Sequence, residues 1–376
     1  MKDRMWYTDK KEKMGDECPV TTFCRYVFTL TCFFFAALTS TVTVHAQDAN
    51  FSQYYAAPLY LNPALAGVDP SITVGLNYRS QLENDLFPNQ SSQFSFILPI
   101  MGKGDALSHK GGLGLSAYNE IAGQQANFKV VGINLTGAYN LYLKQDGSQK
   151  VTFAIQGGFI NKQIDFTNLT WGSQFDPFVG FDTSVNPSIN FLNERALYPV
   201  FNAGLMWYTA LGGEGDSYGS GAYFGLAVGN LNEPDESLIE GETIRLPKLF
   251  KLNAGVDLGV SEKFTISPNV LLKYQNGIFQ FNAGTYLYYD LTGSGGDGRA
   301  NLTRLVLGAW YRYNDSFIVA TGIDKNQFAV GFSYDMRISS LRHPDIGSGA
   351  YEISFTYRFS RKEKEVQYQH KPRFSI

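Results

Sequence analysis

The sequence predicts an all-β protein, a transmembrane antiparallel β-barrel of about fourteen strands with an irregular N-terminal segment and a short C-terminal periplasmic tail. Three observations carry this. Aromatic residues make up 15% of the chain, yet its mean hydropathy is −0.17, so the apolar residues are spent on one face of something. Long stretches alternate residue by residue between apolar and small polar side chains, the period of a strand. The chain also opens with a leader whose apolar run is too short to span a bilayer as a helix.

That leader is residues 1–46. A charged stretch to Arg25 precedes the apolar run Tyr26–Leu38, and Val44-His45-Ala46 supplies small residues at a cleavage site before Gln47. This is the layout of a cleaved secretory signal peptide. Cys18, Cys24 and Cys32 all lie in it, so the chain from Gln47 has no thiol for a disulfide or a metal. Removing the leader's six basic and five acidic residues from totals of 31 and 34 leaves 25 and 29, a net charge of −4. No electrostatic footprint for nucleic acid follows from that balance.

Residues 47–70 form the next unit, containing QDANFSQYYAAPLYLNPALAG. Pro58 and Pro63 interrupt any period of two or of 3.6, because each removes a backbone donor and fixes φ. An ordered, irregular segment at the inner mouth of the barrel is expected, with Phe51, Tyr54, Tyr55, Tyr60 and Asn62 anchoring it in the lumen.

The barrel itself is expected over residues 71–360. Val131, Ile133, Leu135, Tyr139 and Leu141 alternate with Gly132, Asn134, Thr136, Ala138 and Asn140. The same alternation marks Leu252–Val260, and Phe264–Tyr274 with Pro268 and Leu271 as exceptions. Strands are expected at 71–80, 92–99, 111–119, 127–143, 149–161, 199–211, 220–231, 250–260, 263–275, 277–289, 302–313, 316–324, 327–335 and 349–360. Several approach the ~9 to 11 residues that a tilted strand needs to cross a bilayer. Tyr286, Tyr288, Tyr289, Tyr311 and Tyr313 are expected in the aromatic girdles at the membrane surfaces. The inward set is rich in Gly, Asn, Thr and Ser, with few charges.

An even strand number places both termini in the periplasm and the connections 162–198, 232–249 and 336–348 outside, opposite short turns at 144–149, 261–263 and 325–327. The first of these carries FDPFVGFDTSVNPSINF, whose Phe175, Asp176, Phe178, Phe181 and Asp182 read as a docking surface, since exposed aromatics beside Asp, Asn and Pro suggest an ordered recognition loop. Residues 361–376 form a basic tail.

QDANFSQYYAAPLYLNPALAG, together with NYRSQ (Asn77–Gln81), GGLGLSAYNEIAG (Gly111–Gly123), GFSYDMRISSL (Gly331–Leu341) and GSGAYEISFTYRF (Gly347–Phe359), resembles the PorP/SprF family of type IX secretion membrane proteins from Bacteroidetes. Ala350-Tyr351-Glu352 departs from it where a His is expected ahead of the Glu-Ile pair. The resemblance implies an outer-membrane component of the type IX secretion and gliding machinery. Such a component binds, helps export and anchors a secreted, adhesin-type surface protein through that protein's C-terminal domain. Its implied partners are that domain, periplasmic components of the machinery, and the lipid of the outer membrane.

The residues oppose an enzymatic reading. After the leader the histidines are His109, His343 and His370, spread over an inner connection, an outer loop and the tail. A nucleophile, its base and an orienting group on adjacent strands cannot be built from them. No metal-ligand spacing is present and no cofactor is expected. The acidic run Glu233, Asp235, Glu236, Glu240 and Glu242 reads as a solvated loop face. A passive channel for small solutes is the alternative function, since a polar lumen suits a pore as well as a packed plug.

Overall fold

A computed structural model describes residues 51–82, 88–102, 109–123, 126–166, 169, 171–182, 184–185, 194–211, 220–291, 303–325, 327–338 and 349–359. The leader, the basic tail, His343 and His370 lie outside these residues. Among them, strands occur in the order β1 (Ile72–Leu82), β2 (Pro88–Met101), β3 (His109–Ala122), β4 (Phe128–Tyr142), β5 (Gln149–Ile164), β6 (Phe175–Asp176), β7 (Gly180–Phe181) and β8 (Arg195–Ala210). They continue with β9 (Gly221–Gly229), β10 (Leu249–Gly259), β11 (Phe264–Gln275), β12 (Ile278–Asp290), β13 (Thr303–Arg312), β14 (Ser316–Lys325), β15 (Phe328–Arg337) and β16 (Gly349–Phe359).

All but β6 and β7 close into one antiparallel barrel of fourteen strands. Consecutive strands pair, β8 follows β5 across the inserted β6–β7 hairpin, and β1 pairs with β16 from Ile72↔Phe359 to Leu82↔Gly349. Closure is what a sheet in hydrocarbon requires, because an open edge would leave backbone donors and acceptors without partners. No helix among the described residues is long and apolar enough to cross a membrane. We call the end at which β1 begins the near rim and the opposite end the far rim.

The alternation expected from the sequence sets the two faces. Leu76, Ile133, Leu135, Ile155 and Phe355 project outward and are exposed, whereas the interleaved Asn77, Asn134, Thr136, Gln156 and Ser354 are buried in the interior. A protein in water would place these sets the other way round, so the outer belt is a lipid-facing surface. Asn276 (φ 45°) and Gly277 (φ 83°) join β11 to β12, the Asn-Gly pair that a two-residue hairpin with positive φ selects.

Two expectations are corrected. Tyr286 and Tyr288 do not stand in an aromatic girdle; they share the inward parity of Asn282 on β12 and are buried in the lumen. Tyr311 and Tyr313 are outside and exposed. Leu271, an exception to the alternation, is also lumenal, 1% exposed, because it belongs to an interior apolar cluster rather than to the polar lining. His109 is not in a connection but opens β3, where the Tyr142 hydroxyl donates to its carbonyl at 2.9 Å.

The lipid-facing assignment makes a direct prediction. Leu135 lies midway along β4 and is 67% exposed. Leu135→Arg should destabilise the barrel by about 2–4 kcal/mol, the cost of a cation near the bilayer midplane. The measurement is the fraction that migrates as folded barrel in unheated detergent gels, and an unchanged fraction would contradict the assignment.

Candidate functional site

The segment Phe51–Val68 lies inside the barrel. Its order follows from its own residues: a 3-10 turn Tyr54–Ala56, a one-turn helix Pro58–Leu61, and a second 3-10 turn Pro63–Gly67. Both prolines occupy first-turn positions, where a missing N–H costs nothing. Asn62 caps the second turn by accepting from the Ala64 N–H at 2.9 Å, while its amide donates to the carbonyls of Leu205 (3.1 Å) and Leu226 (3.2 Å) on the wall. This one fully buried residue thus ends one turn through its own N–H to the Pro58 carbonyl, starts the next with its side chain and ties both to β8 and β9.

The apolar side chains fill the interior. Tyr54, Tyr55, Leu59, Leu61 and Leu65 join Met206, Tyr223, Leu271, Tyr286, Tyr288, Val306, Trp310 and Ile318 in one buried cluster. The Tyr54 hydroxyl donates to Asn269, and the Tyr55 and Tyr223 hydroxyls meet at 2.5 Å. Phe51 packs edge-on against Tyr60 with ring centroids 5.5 Å apart, and Tyr60 in turn against Tyr118 at 5.6 Å. Lys251 Nζ lies 4.2 Å from the Tyr60 ring centroid and donates to the Tyr60 carbonyl at 2.7 Å. Glycines in the wall admit the segment's backbone. A Cβ on Gly112 would fall 2.0 Å from the Ala66 carbonyl oxygen, and one on Gly204 would fall 2.2 Å from Asn62 Oδ1.

Charged residues grip the start of the segment. Glu352 accepts the Ser52 N–H at 2.6 Å and the Gln53 N–H at 3.0 Å, and also the Asn77 amide at 2.8 Å. The Ser52 hydroxyl donates to Asp335 at 2.6 Å and accepts from Arg79 (2.6 Å) and Arg312 (2.9 Å). Arg79 pairs with Asp335 at 2.9 Å and with Glu352 at 3.5 Å, and Arg312 pairs with Asp335 at 3.2 Å. Two buried cations and two buried anions therefore meet around Ser52, and half-exposed Asp315 pairs with Arg312 at 2.9 Å beside them. The sequence reading missed this group by counting few inward charges. The signal was available in parity, since Arg79 and Glu352 fall on the polar side of their strands' alternation.

The anticipated residues accordingly fall into two sets. Phe51, Tyr54, Tyr55, Tyr60 and Asn62 come together inside the barrel. Contacts of the segment run from Lys150 at the near rim to Arg312 and Glu352 close to the far rim, so it extends along the lumen rather than lying at one mouth. Phe175, Asp176, Phe178, Phe181 and Asp182 lie instead on the β6–β7 hairpin of the β5–β8 connection at the far rim.

That hairpin is short and ordered by its acids. Phe175 pairs with Phe181, their rings 5.2 Å apart, and Gly180 takes a positive φ of 87° next to the turn. Asp176 accepts the N–H groups of Phe178 (2.7 Å) and Val179 (3.1 Å) across the turn. Asp182 accepts the hydroxyl (2.6 Å) and N–H (2.9 Å) of Ser184, bonds that hold its carboxyl below the usual carboxylate range. The tip is left bare, with Phe178 96% exposed. Beside it the β9–β10 connection folds onto the ends of β5 and β8. Asn232 bonds Phe201 and Pro199 there, Lys162 pairs with Glu236 at 3.1 Å, and Lys248 with Glu233 at 3.7 Å. Among the described residues no cluster of His, Cys, Asp and Glu could hold a metal ion.

The sequence pattern of the type IX secretion system membrane protein PorP/SprF family matches residues 43–357. The chain belongs to that family. Its fourteen-stranded barrel is therefore an outer-membrane component of the PorP/SprF kind. A comparison with curated protein sequences gave no match. Among solved structures, the chain is similar to the CymD monoaromatic hydrocarbon channel at 14% identity and a TM-score of 0.42, over 82% of this chain and 94% of that one. It is similar to the Ralstonia pickettii toluene transporter TbuX at 10% and 0.43, over 80% and 93%. The Pseudomonas putida toluene transporter TodX gives the same 10% and 0.43, over 80% and 93%. None of these likenesses assigns a function.

The ionic grip on the segment is testable. Glu352→Ala leaves Arg79 and two backbone N–H groups facing a void, and removing one partner of a buried pair costs about 3–5 kcal/mol. The urea midpoint of the detergent-solubilised barrel should fall accordingly, and Phe51–Val68 should become sensitive to protease. Full resistance would mean that the segment is held without the carboxylate.

Proposed function

We propose that this PorP/SprF protein works as a docking component of type IX secretion rather than as a conduit. In this reading it holds the C-terminal domain of a secreted, adhesin-type surface protein at its far rim, which faces the cell exterior. The observation that carries the reading is the filled lumen: Phe51–Val68 occupies the interior and is bonded to inward side chains and backbone carbonyls around the wall. A passive channel would need that segment to leave, against the burial of its aromatics and the ion pairing at Ser52.

The far rim suits protein docking. Bare Phe178 and Val179 stand on a hairpin beside the β9–β10 connection, where Glu240 and Glu242 are exposed. An apolar anchor next to negative charge fits a partner surface with an apolar pocket and basic neighbours. The near rim, with the short β4–β5 turn and the end of β16, then faces periplasmic components of the machinery.

Two measurements test this. Phe178→Ala combined with Val179→Ser should reduce retention of the secreted protein at the cell surface several-fold while barrel assembly stays normal, since neither side chain supports the hairpin. Undiminished retention would remove the hairpin from the docking surface. In planar bilayers the intact protein should show no steady open pore, whereas Tyr54→Ala with Tyr60→Ala should leak. A steady conductance from the unaltered protein would favour the channel.

A further inference from the structure

The contacts of the lumenal segment change rim by rim in a single direction. At its C-terminal end, Val68 accepts from Lys150 at 2.9 Å and Gly67 from Asn140 at 2.8 Å. Lys150 is next to the start of β5 and Asn140 is near the end of β4, both at the near rim. Asn62 bonds the carbonyls of Leu205 and Leu226, inside β8 and β9. Tyr60 meets Lys251 near the far-rim start of β10. Ser52 and Gln53 meet Glu352, Asp335, Arg79 and Arg312, all close to the far-rim ends of β16, β15, β1 and β13. Followed toward its N-terminus, the segment enters at the near rim and climbs the whole barrel.

We infer that the lumenal segment threads the barrel with its Phe51 end toward the far rim, so that the chain ahead of it is reached from the face that carries the β5–β8 and β9–β10 connections, opposite the end of β16. The residues ahead of Phe51 have a contour of about 3.3 Å each, so those from Gln47 span about 13 Å. The stretch of β1 from Arg79 to Leu82 rises about 10 Å, so that contour reaches the rim. The way back is closed, because Phe51 is 1% exposed and the lumen beneath it is taken by Tyr54, Tyr55 and Tyr60. Phe51 and Phe359 thus stand toward opposite rims, which bears against the expectation that both termini lie in the periplasm. That the far rim also meets a secreted partner rests on the function proposed above; the path of the segment does not.

The chain from Gln47 onward carries no cysteine, which makes the test clean. Single variants Ala49→Cys, Glu240→Cys in the β9–β10 connection and Gln145→Cys in the β4–β5 turn are expressed in cells and treated with a membrane-impermeant maleimide before and after permeabilisation. Unheated gels confirm that each barrel is folded. Position 49 is expected to react in the same compartment as 240, with 145 reacting in the other. Reaction of 49 together with 145 overturns the inference. So does silence at 49 in both compartments when Gln47→Cys is silent too, since chain reached from a rim has to be solvated. Repeating the reaction in cells that lack the secreted surface protein separates the two ideas. Unchanged labelling at both 49 and 240 counts against docking at this rim while leaving the path of the segment intact.

Discussion

Arg79 and Glu352 face each other in register across the seam where the first strand meets the last. A carboxylate and a guanidinium taken out of water each cost several kcal/mol unless fully partnered. Here the partners come from three sources: each other across the seam, Asp335 and Asn77 on the neighbouring wall, and the Ser52 and Gln53 N–H groups of the lumenal segment. The same charges therefore serve two tasks. They are satisfied only when β1 and β16 are paired and the segment is in place, which couples closure of the barrel to filling of its interior.

The rest of the interior follows from the inverted hydropathy that lipid imposes. A wall lined by Asn, Gln, Lys and Ser needs hydrogen-bond partners in a space that excludes bulk water. A regular helix would use its own carbonyls internally and offer the wall little. The prolines of Phe51–Val68 break the chain into single turns and leave carbonyls free. Gln156 donates to Leu59, Lys251 to Tyr60, Asn140 to Gly67 and Lys150 to Val68, at 2.7 to 3.3 Å. The irregularity of the segment is thus what fits it to a polar-lined barrel, while its tyrosines and leucines pack where the wall carries Tyr286, Tyr288 and Leu271.

The barrel was legible because its outward face repeats every second residue over long strands; all fourteen strands fall where the alternation places them, with ends displaced by a few residues. What failed was the reading of exceptions. Leu271 on the polar side of β11, and Tyr286 and Tyr288 at the end of β12, looked like noise or girdle residues because alternation says which residues share a face and not what that face meets. Their partner is a segment two hundred residues away in sequence, which no local period reports. The buried charges were hidden for a related reason. Arg79 and Glu352 sit among polar neighbours, and only the β1–β16 register and the arrival of Ser52 turn ions separated in sequence into one bonded group. The β6–β7 hairpin was missed because its strands are two residues long, though the loop that holds it was expected to be ordered.

A core of this kind changes what the outer surfaces can be for. In a pore the lumen is the working space and the loops guard it. Here the interior carries buried aromatics, a bonded ion group and wall glycines that admit backbone and nothing larger, the features of a packed core. Moving a polypeptide through it would mean separating Glu352 and Asp335 from their cations and exposing the cluster around Tyr54 at once. The outer belt is committed to lipid, so the two rims remain as the surfaces able to exchange partners, and they are unequal. One carries short turns such as that between β4 and β5. The other carries an aromatic hairpin and an acidic connection, with the start of the lumenal segment gripped just beneath. The ions that grip Ser52 lie under that same rim but on the β13-to-β1 side of the ring, across the barrel from the hairpin, so the lumenal segment that reaches from one side to the other is what joins them.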